Sequence, residues 1–203
     1  MLARLWLATT NAGKVREYQA LAAATGLVLD TPPEMARLPT FPEEAPTFAE
    51  NAAGKALHYS RLLKGPVVAE DSGLVVPALD GAPGPRSARL TGPGGSDADR
   101  IQKLLELLKA RPHADRCARF VCVLALAQNG RVGAVFSDFV TGRILEAPQG
   151  ASGFGYDPIF LYEPLGRSFA ELTPEEKNAV SHRGRAFRKL AAFLKSPTAV
   201  LEF

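Results

Sequence analysis

The chain has 203 residues, enough for one α/β domain with a sizeable core or for two lobes that share a sheet. Hydrophobic residues at 46% and charged residues at 22% exclude a disordered or fibrous protein. The net charge of +3, from 24 basic against 21 acidic side chains, is too small to demand a nucleic-acid partner and suits a small polyanionic substrate equally well.

The opening Met1 to Asn11 holds too short an apolar run for a secretion signal, and no later run reaches membrane-spanning length. A cytoplasmic location with no membrane contact is therefore expected. Cys117 and Cys122 are the only cysteines, and their spacing sends them to opposite faces of a strand, so neither a disulfide nor a zinc knuckle is expected.

Leu2 to Ala8 reads as a buried first strand, and Lys14 to Ala24 as a helix, with Thr9 to Gly13 forming a tight turn between them. Five prolines from Pro32 to Pro46 make an irregular connector. Thr47-Phe48-Ala49-Glu50 has the form of a capping box opening a helix towards Leu63, which Gly65-Pro66 ends. Val67-Val68-Ala69 is a short buried strand that delivers Glu70-Asp71-Ser72-Gly73 at its carboxyl end, where α/β sheets place their ligands.

Gly81 to Gly95 is a Gly/Pro-rich surface loop, followed by a helix capped at Ser96 to Asp99, with Ile101, Leu104, Leu105 and Leu108 on one stripe. That helix is expected to be structural. Arg116 to Gln128 and Val132 to Val140 flank Asn129-Gly130, a strong hairpin signal, so the sheet is predicted to be mixed. Thr173-Pro174-Glu175-Glu176 caps another helix, and Arg183 to Lys195 reads as a final amphipathic one. Nothing in the composition marks a linker, so residues 1–203 are expected to form a single domain.

Four groups of residues could carry chemistry. Thr9 to Lys14 has the logic of a phosphate loop, a strand and turn feeding a helix whose first N–H groups and dipole favour an anion. It lacks the glycine and the Ser/Thr of a Walker A loop, and alone it is equally an ordinary strand-to-helix turn with Asn11 near a cap. Glu70-Asp71-Ser72-Gly73 combines two carboxylates, a hydroxyl and a flexible residue, suited to a hard cation and to activating water, although acid pairs in loops are often just solvated turns. Ser152-Gly153-Phe154-Gly155-Tyr156-Asp157-Pro158 strips bulk from both sides of Phe154, leaving either a ring face for a flat ligand or a core aromatic. Lys177, Ser181, His182 and Arg183 add donors suited to phosphate and carbonyl oxygens, while His58 and His113 read as ordinary surface residues.

Together with Glu43, Thr47-Phe48 and Asn51-Ala52, these segments follow the order of motifs in the inosine and xanthosine triphosphate pyrophosphatases, and the chain resembles that family over nearly its whole length. The resemblance implies an α/β fold with an elongated mixed sheet, flanking helices and two lobes around a nucleotide cleft, and a homodimer. It implies hydrolysis of ITP, dITP and XTP to monophosphate and pyrophosphate by water attack on the α-phosphorus. A related pyrophosphatase of other base preference, or a non-catalytic nucleotide- or nucleic-acid-binding module, is the alternative; the acids argue against nucleic acid.

By the same resemblance Asp71 is catalytic and, with Glu43, binds Mg²⁺. Thr9, Thr10, Asn11, Ala12, Gly13 and Lys14 hold the triphosphate, and Lys177 helps neutralise it. Ser72 contacts substrate, Phe154 stacks on the purine within Gly155-Tyr156, and Asp157, His182 and Arg183 read its edge. The family usually carries Glu-x-Gly before Thr-Phe; here Ala45 replaces that glycine, leaving Glu43 and Glu44 both as candidates for the metal.

Overall fold

A computed structural model describes residues 4–196. The chain is α/β, with a seven-stranded sheet in the order β2-β1-β3-β4-β5-β6-β7. β1 (Leu5–Leu7) pairs in parallel with β2 (Leu29–Asp30) and with β3 (Val67–Val75), whereas β5 (Arg131–Ile144), β6 (Phe160–Tyr162) and β7 (Arg167–Ser168) are antiparallel neighbours. The predicted mixed sheet is therefore present. The predicted first strand is shorter than its apolar run, and Leu2 lies outside the described residues.

α1 (Ala12–Thr25) starts earlier than expected because Asn11 is its N-cap, with the side chain accepting the Lys14 N–H at 3.0 Å. Gly13 consequently lies in the first helical turn rather than in a tight turn before it. The helix ends at Gly26, whose φ of 71° is a left-handed C-cap that a side chain would strain. α2 (Phe48–Ser60) is capped by Thr47, which accepts the Glu50 N–H at 3.2 Å. It stops at Ser60, short of the expected end.

The largest departure concerns β3. The strand continues from Val67 through Glu70, Asp71, Ser72 and Gly73 to Val75, so the acids sit inside it rather than in a loop at its end. Low β-propensity for Glu, Asp and Gly is outweighed by the surroundings: Glu70 meets Arg183, Asp71 meets Asn51, and at position 73 there is no room for a side chain. Gly73 is not there for flexibility: a Cβ would fall 2.3 Å from Ser87 Oγ and 2.6 Å from the Gly84 carbonyl oxygen.

Within 81–95 the chain forms a 3₁₀ turn, Gly84–Arg89, where a plain loop was expected. α3 (Asp97–Lys109) begins at a complete Ser96/Asp99 capping box and buries Ile101, Leu104 and Leu108, with Leu105 only partly covered. β4 (Cys117–Gln128) turns into β5 through Asn129 and Gly130, at φ 51° and 74°, the two positive values a type I′ hairpin turn needs. Cys117 and Cys122 are free thiols. α4 (Pro174–Val180) has the Thr173/Glu176 capping box and α5 (His182–Lys195) follows after Ser181.

The chain segregates into two compact units, one containing Met1–Asp71, Cys122–Asp138 and Arg183–Phe203, the other Ser72–Val121 and Phe139–His182. Neither is continuous, and the junctions fall within β3, β4 and β5 and between the first two residues of α5. In the first unit Leu5, Leu7, Tyr18, Leu21, Leu124, Leu126 and Phe187 form the core; truncating a ring such as Phe187 to alanine typically costs about 3–5 kcal/mol. In the second, Leu74, Leu104, Phe120, Phe160 and Phe169 do so. Among the described residues no helix is long and apolar enough to cross a membrane.

Candidate active site

The first unit gathers the acids and Lys14. Alternation along β3 sends Glu70 and Asp71 to opposite faces, and each finds its own setting. Glu70, 2% exposed, accepts from Arg183 through Nη2 at 2.9 Å and Nε at 3.2 Å, while Arg183 Nη1 pairs with Glu17. Burial opposes the guanidinium's charge, but the Glu70 and Glu17 carboxylates outweigh it and raise its pKa well above the ordinary arginine value. Lys14 Nζ lies 3.7 Å from Glu70 Oε1, so the helix-start lysine is held over the strand.

Asp71 faces Asn51, which donates from Nδ2 to Asp71 Oδ2 at 2.9 Å. The same amide brackets Ala45, accepting its N–H at 2.9 Å and donating to its carbonyl at 3.2 Å. One buried asparagine thus ties the catalytic candidate to the segment bearing Glu43. Of the two open candidates there, Glu43 is partly buried and paired with Lys55 Nζ at 2.5 Å, while Glu44 is exposed. Burial chiefly pushes the Asp71 pKa up, to about 6; Glu43 and Glu70 add to the rise, against the Asn51 hydrogen bond and the Lys14 charge.

Thr9 is buried and its Oγ1 accepts the Asn11 N–H at 3.2 Å, while Thr10, Asn11 and Ala12 are exposed at the start of α1. Exposed residues at a helix N-terminus, followed by Lys14, leave backbone donors and positive charge for an anion.

The second unit gathers the Phe154 segment, Lys177 and His182. Gly153 and Gly155 stand at φ 79° and 63°, and a Cβ on Gly153 would meet Asp157 Oδ2 at 2.2 Å. That oxygen accepts the Phe154 N–H at 2.8 Å and also the Lys177 ammonium, in a pair whose side chains are 4% and 6% exposed. Lys177 Nζ lies 5.0 Å from the centre of the half-buried Phe154 ring, a cation–π contact that fixes one face. Tyr156, expected as a substrate contact, is buried and donates its hydroxyl to the Ser87 carbonyl at 2.8 Å. His182, 3% exposed, is stacked on Phe120 with centroids 4.8 Å apart and planes at 10°. Ser72 is half-buried in β3.

Two residues expected at the ligand have protein partners of their own. Arg183 was expected at the purine edge, yet all three of its guanidinium nitrogens donate to carboxylates in the first unit. Lys177 was expected on the phosphates, yet its ammonium is buried against Asp157 and Phe154. Asn51, Lys55 and Glu17 had been given no chemical role. Only Asn51 left a trace in the sequence: an amide beside the apolar positions Ala52, Ala56 and Tyr59 of an amphipathic helix must find a buried partner.

The chain is thus an α/β protein whose first unit carries buried acids beside a lysine at a helix start, and whose second carries a half-buried aromatic ring in a glycine-flanked loop. The profile of the Ham1 family matches residues 5–193. The dITP/XTP pyrophosphatase of Geobacillus kaustophilus is 50% identical over 184 residues, covering 91% of this chain and 90% of that protein. That of Gloeobacter violaceus is 46% identical over 203 residues, all of both chains. The structure of a HAM1 protein from Coxiella burnetii superimposes with a TM-score of 0.85 at 42% identity, covering 96% of this chain and 98% of that one. The chain belongs to the Ham1 family.

Proposed function

We propose that this protein hydrolyses the deaminated purine triphosphates dITP, ITP and XTP to the monophosphate and pyrophosphate, keeping them out of DNA and RNA. The relatives named dITP/XTP pyrophosphatase support the reaction and substrate class. The observation that carries the mechanism is Asp71, a buried carboxyl with its pKa raised to about 6, oriented by Asn51 and lying in the field of Lys14. A group poised in that way takes a proton from water near neutral pH.

Among the described residues no three Asp, Glu, His or Cys side chains are grouped closely enough to hold a metal by themselves. Magnesium rarely uses an all-protein cage; one or two carboxylates plus substrate phosphates suffice, and Asp71 with Glu43 fits that pattern. Bound there, the ion would neutralise phosphate charge and lower the pKa of water. Lys14 and the first amides of α1, with Thr9, Thr10 and Asn11 around them, bind the triphosphate and stabilise the leaving pyrophosphate. Arg183 serves by holding Glu70 under Lys14 rather than by touching the base.

In the second unit Phe154 supplies the stacking face for the purine, and Lys177 with Asp157 orders the loop that carries it. His182 offers an N–H donor to a six-oxo group. Ser72 contacts substrate. We place the enzyme in the cytoplasm, where the nucleotide pool lies, and as a homodimer, for which the half-exposed Val135 and Phe139 of β5 provide apolar surface.

The deciding experiment incubates the protein with dITP and magnesium and assays the products. Equimolar pyrophosphate and dIMP are expected. Orthophosphate with dIDP, or tight binding without turnover, would overturn the reading.

A further inference from the structure

In the sequence α3 reads as structural, a capped helix with one apolar stripe. Its first residue does something else. The helix's own capping is completed by Ser96 and Asp99, each accepting from the other's backbone N–H. Asp97 is therefore not needed as a cap. Its Oδ2 instead accepts the N–H of Gly155 at 2.7 Å, across 58 positions of sequence.

The carboxylate is steadied from behind. Asp97 Oδ1 pairs with Arg100, whose guanidinium also donates to the carbonyls of Ala88, at 3.2 Å, and Gly95. On the loop side, three successive residues are tied by three different anchors. Phe154 N–H goes to Asp157, Gly155 N–H to Asp97, and the Tyr156 hydroxyl to the Ser87 carbonyl. Asp97 is the anchor that connects the loop to α3. The flanking glycines, at φ 79° and 63°, would otherwise give this backbone a wide choice of conformations.

We propose that Asp97 is a positioning residue for base recognition: by holding the Gly155 N–H it presets the direction of the Phe154 ring before a purine arrives. The proposal rests on the reading of Phe154 as the stacking platform. A loop ordered in advance does not lose that entropy on binding, so removing the anchor weakens purine affinity and leaves the chemical step alone.

The test compares Asp97→Ala, Asp97→Asn and Phe154→Ala with the unmodified protein, singly and as the Asp97→Ala/Phe154→Ala pair. The probes are dITP turnover, inosine as a ligand without phosphate, and pyrophosphate as a ligand without a base. Asp97→Ala is expected to raise KM for dITP and weaken inosine about five- to tenfold, the effect of one lost hydrogen bond, with kcat and pyrophosphate inhibition unchanged. Asp97→Asn keeps an oxygen acceptor for the Gly155 N–H but gives up the pairing with Arg100, and should recover most of the rise in KM. In the Phe154→Ala background the Asp97 change should have no further effect. Amide exchange at Gly155 should accelerate in Asp97→Ala but not in Asp97→Asn, an outcome independent of activity.

Equal weakening of inosine and pyrophosphate by Asp97→Ala, or an unreduced effect without the ring, would overturn the proposal and leave Asp97 a general stabiliser. If Phe154→Ala weakens inosine but Asp97→Ala does not, the positioning role alone falls. If Phe154→Ala leaves inosine binding intact, the stacking reading falls and takes the proposal with it.

Discussion

Arg183 and Glu70 stand 113 positions apart, yet Arg183 Nη2 donates to Glu70 Oε1 at 2.9 Å with both side chains almost wholly out of solvent. Glu17 completes the set on Nη1. Removing the arginine would take the shared partner from two carboxylates, one of them, Glu70, almost wholly buried.

Arg183→Ala should therefore be a folding mutant first. Breaking a buried pair by removing one partner costs about 3–5 kcal/mol, which for a chain of this size lowers Tm by on the order of 10 °C. Arg183→Lys should not restore it, since an ammonium lacks the fork that spans both acids. Thermal unfolding measures both; a wild-type Tm for Arg183→Ala would show the network to be dispensable.

Asp71→Asn should have the opposite profile. The amide nearly matches the carboxyl in shape, so Tm should hold, while kcat falls about a hundredfold or more with loss of the base. Near-wild-type turnover would remove Asp71 from the mechanism.

The raised Asp71 pKa also predicts a pH trend in the metal-free protein. Between its ordinary value of 3.8 and about 6, the unfolded carboxyl is ionised while the folded one still holds its proton. Stability contributed by the protonated form is fully present below that window and is lost as pH rises through about 6. Asp71→Asn should abolish that part of the slope, which denaturant titrations at pH 4, 5, 6 and 7 can check, these being about the window just named.

Asn51 offers a sharper probe of the acids. Asn51→Asp replaces the Nδ2 donor with an acceptor against Asp71 and withdraws the donor to Ala45. A stability loss of about 1–3 kcal/mol is expected, with a fall in kcat that exceeds the change in KM. An unchanged kcat would mean that the orientation of Asp71 does not limit the reaction.

For the base, the ratio of kcat/KM for ITP to that for ATP should fall in His182→Ala, because a donor that a six-oxo purine accepts is gone. Sites built to bond a particular group can discriminate by about 10⁴, although relaxation towards water reduces this. Phe154→Ala should weaken both purines and leave the ratio alone. If His182→Ala keeps the wild-type ratio, discrimination lies in the backbone of 154–157.

Much of this was legible locally. The caps at Thr47, Ser96 and Thr173 and the Asn129-Gly130 turn declare themselves because the groups they satisfy are within four residues. β6 and β7 were missed because three and two residues are too few for a period to show. The acids were placed at the carboxyl end of the strand rather than inside it because Glu-Asp-Ser-Gly has little strand propensity; what meets them within β3 is Arg183, Asn51 and Ser87, all distant in sequence. Arg183 and Lys177 were sent to the ligand because an unpaired cation is what a sequence displays, whereas Glu17 and Asp157 neutralise them only in the fold.

β3 makes the assignment of Glu70 and Asp71 a matter of parity. The two acids are neighbours, so the pleat alone decides which meets Arg183 and which meets Asn51. Deleting one residue between Val67 and Glu70 would present an aspartate to the guanidinium and a serine to the amide, without altering a single side chain at the site. A point substitution along this strand acts at its own position, whereas a change of length resets the facing of every residue that follows it. This stretch must keep its count.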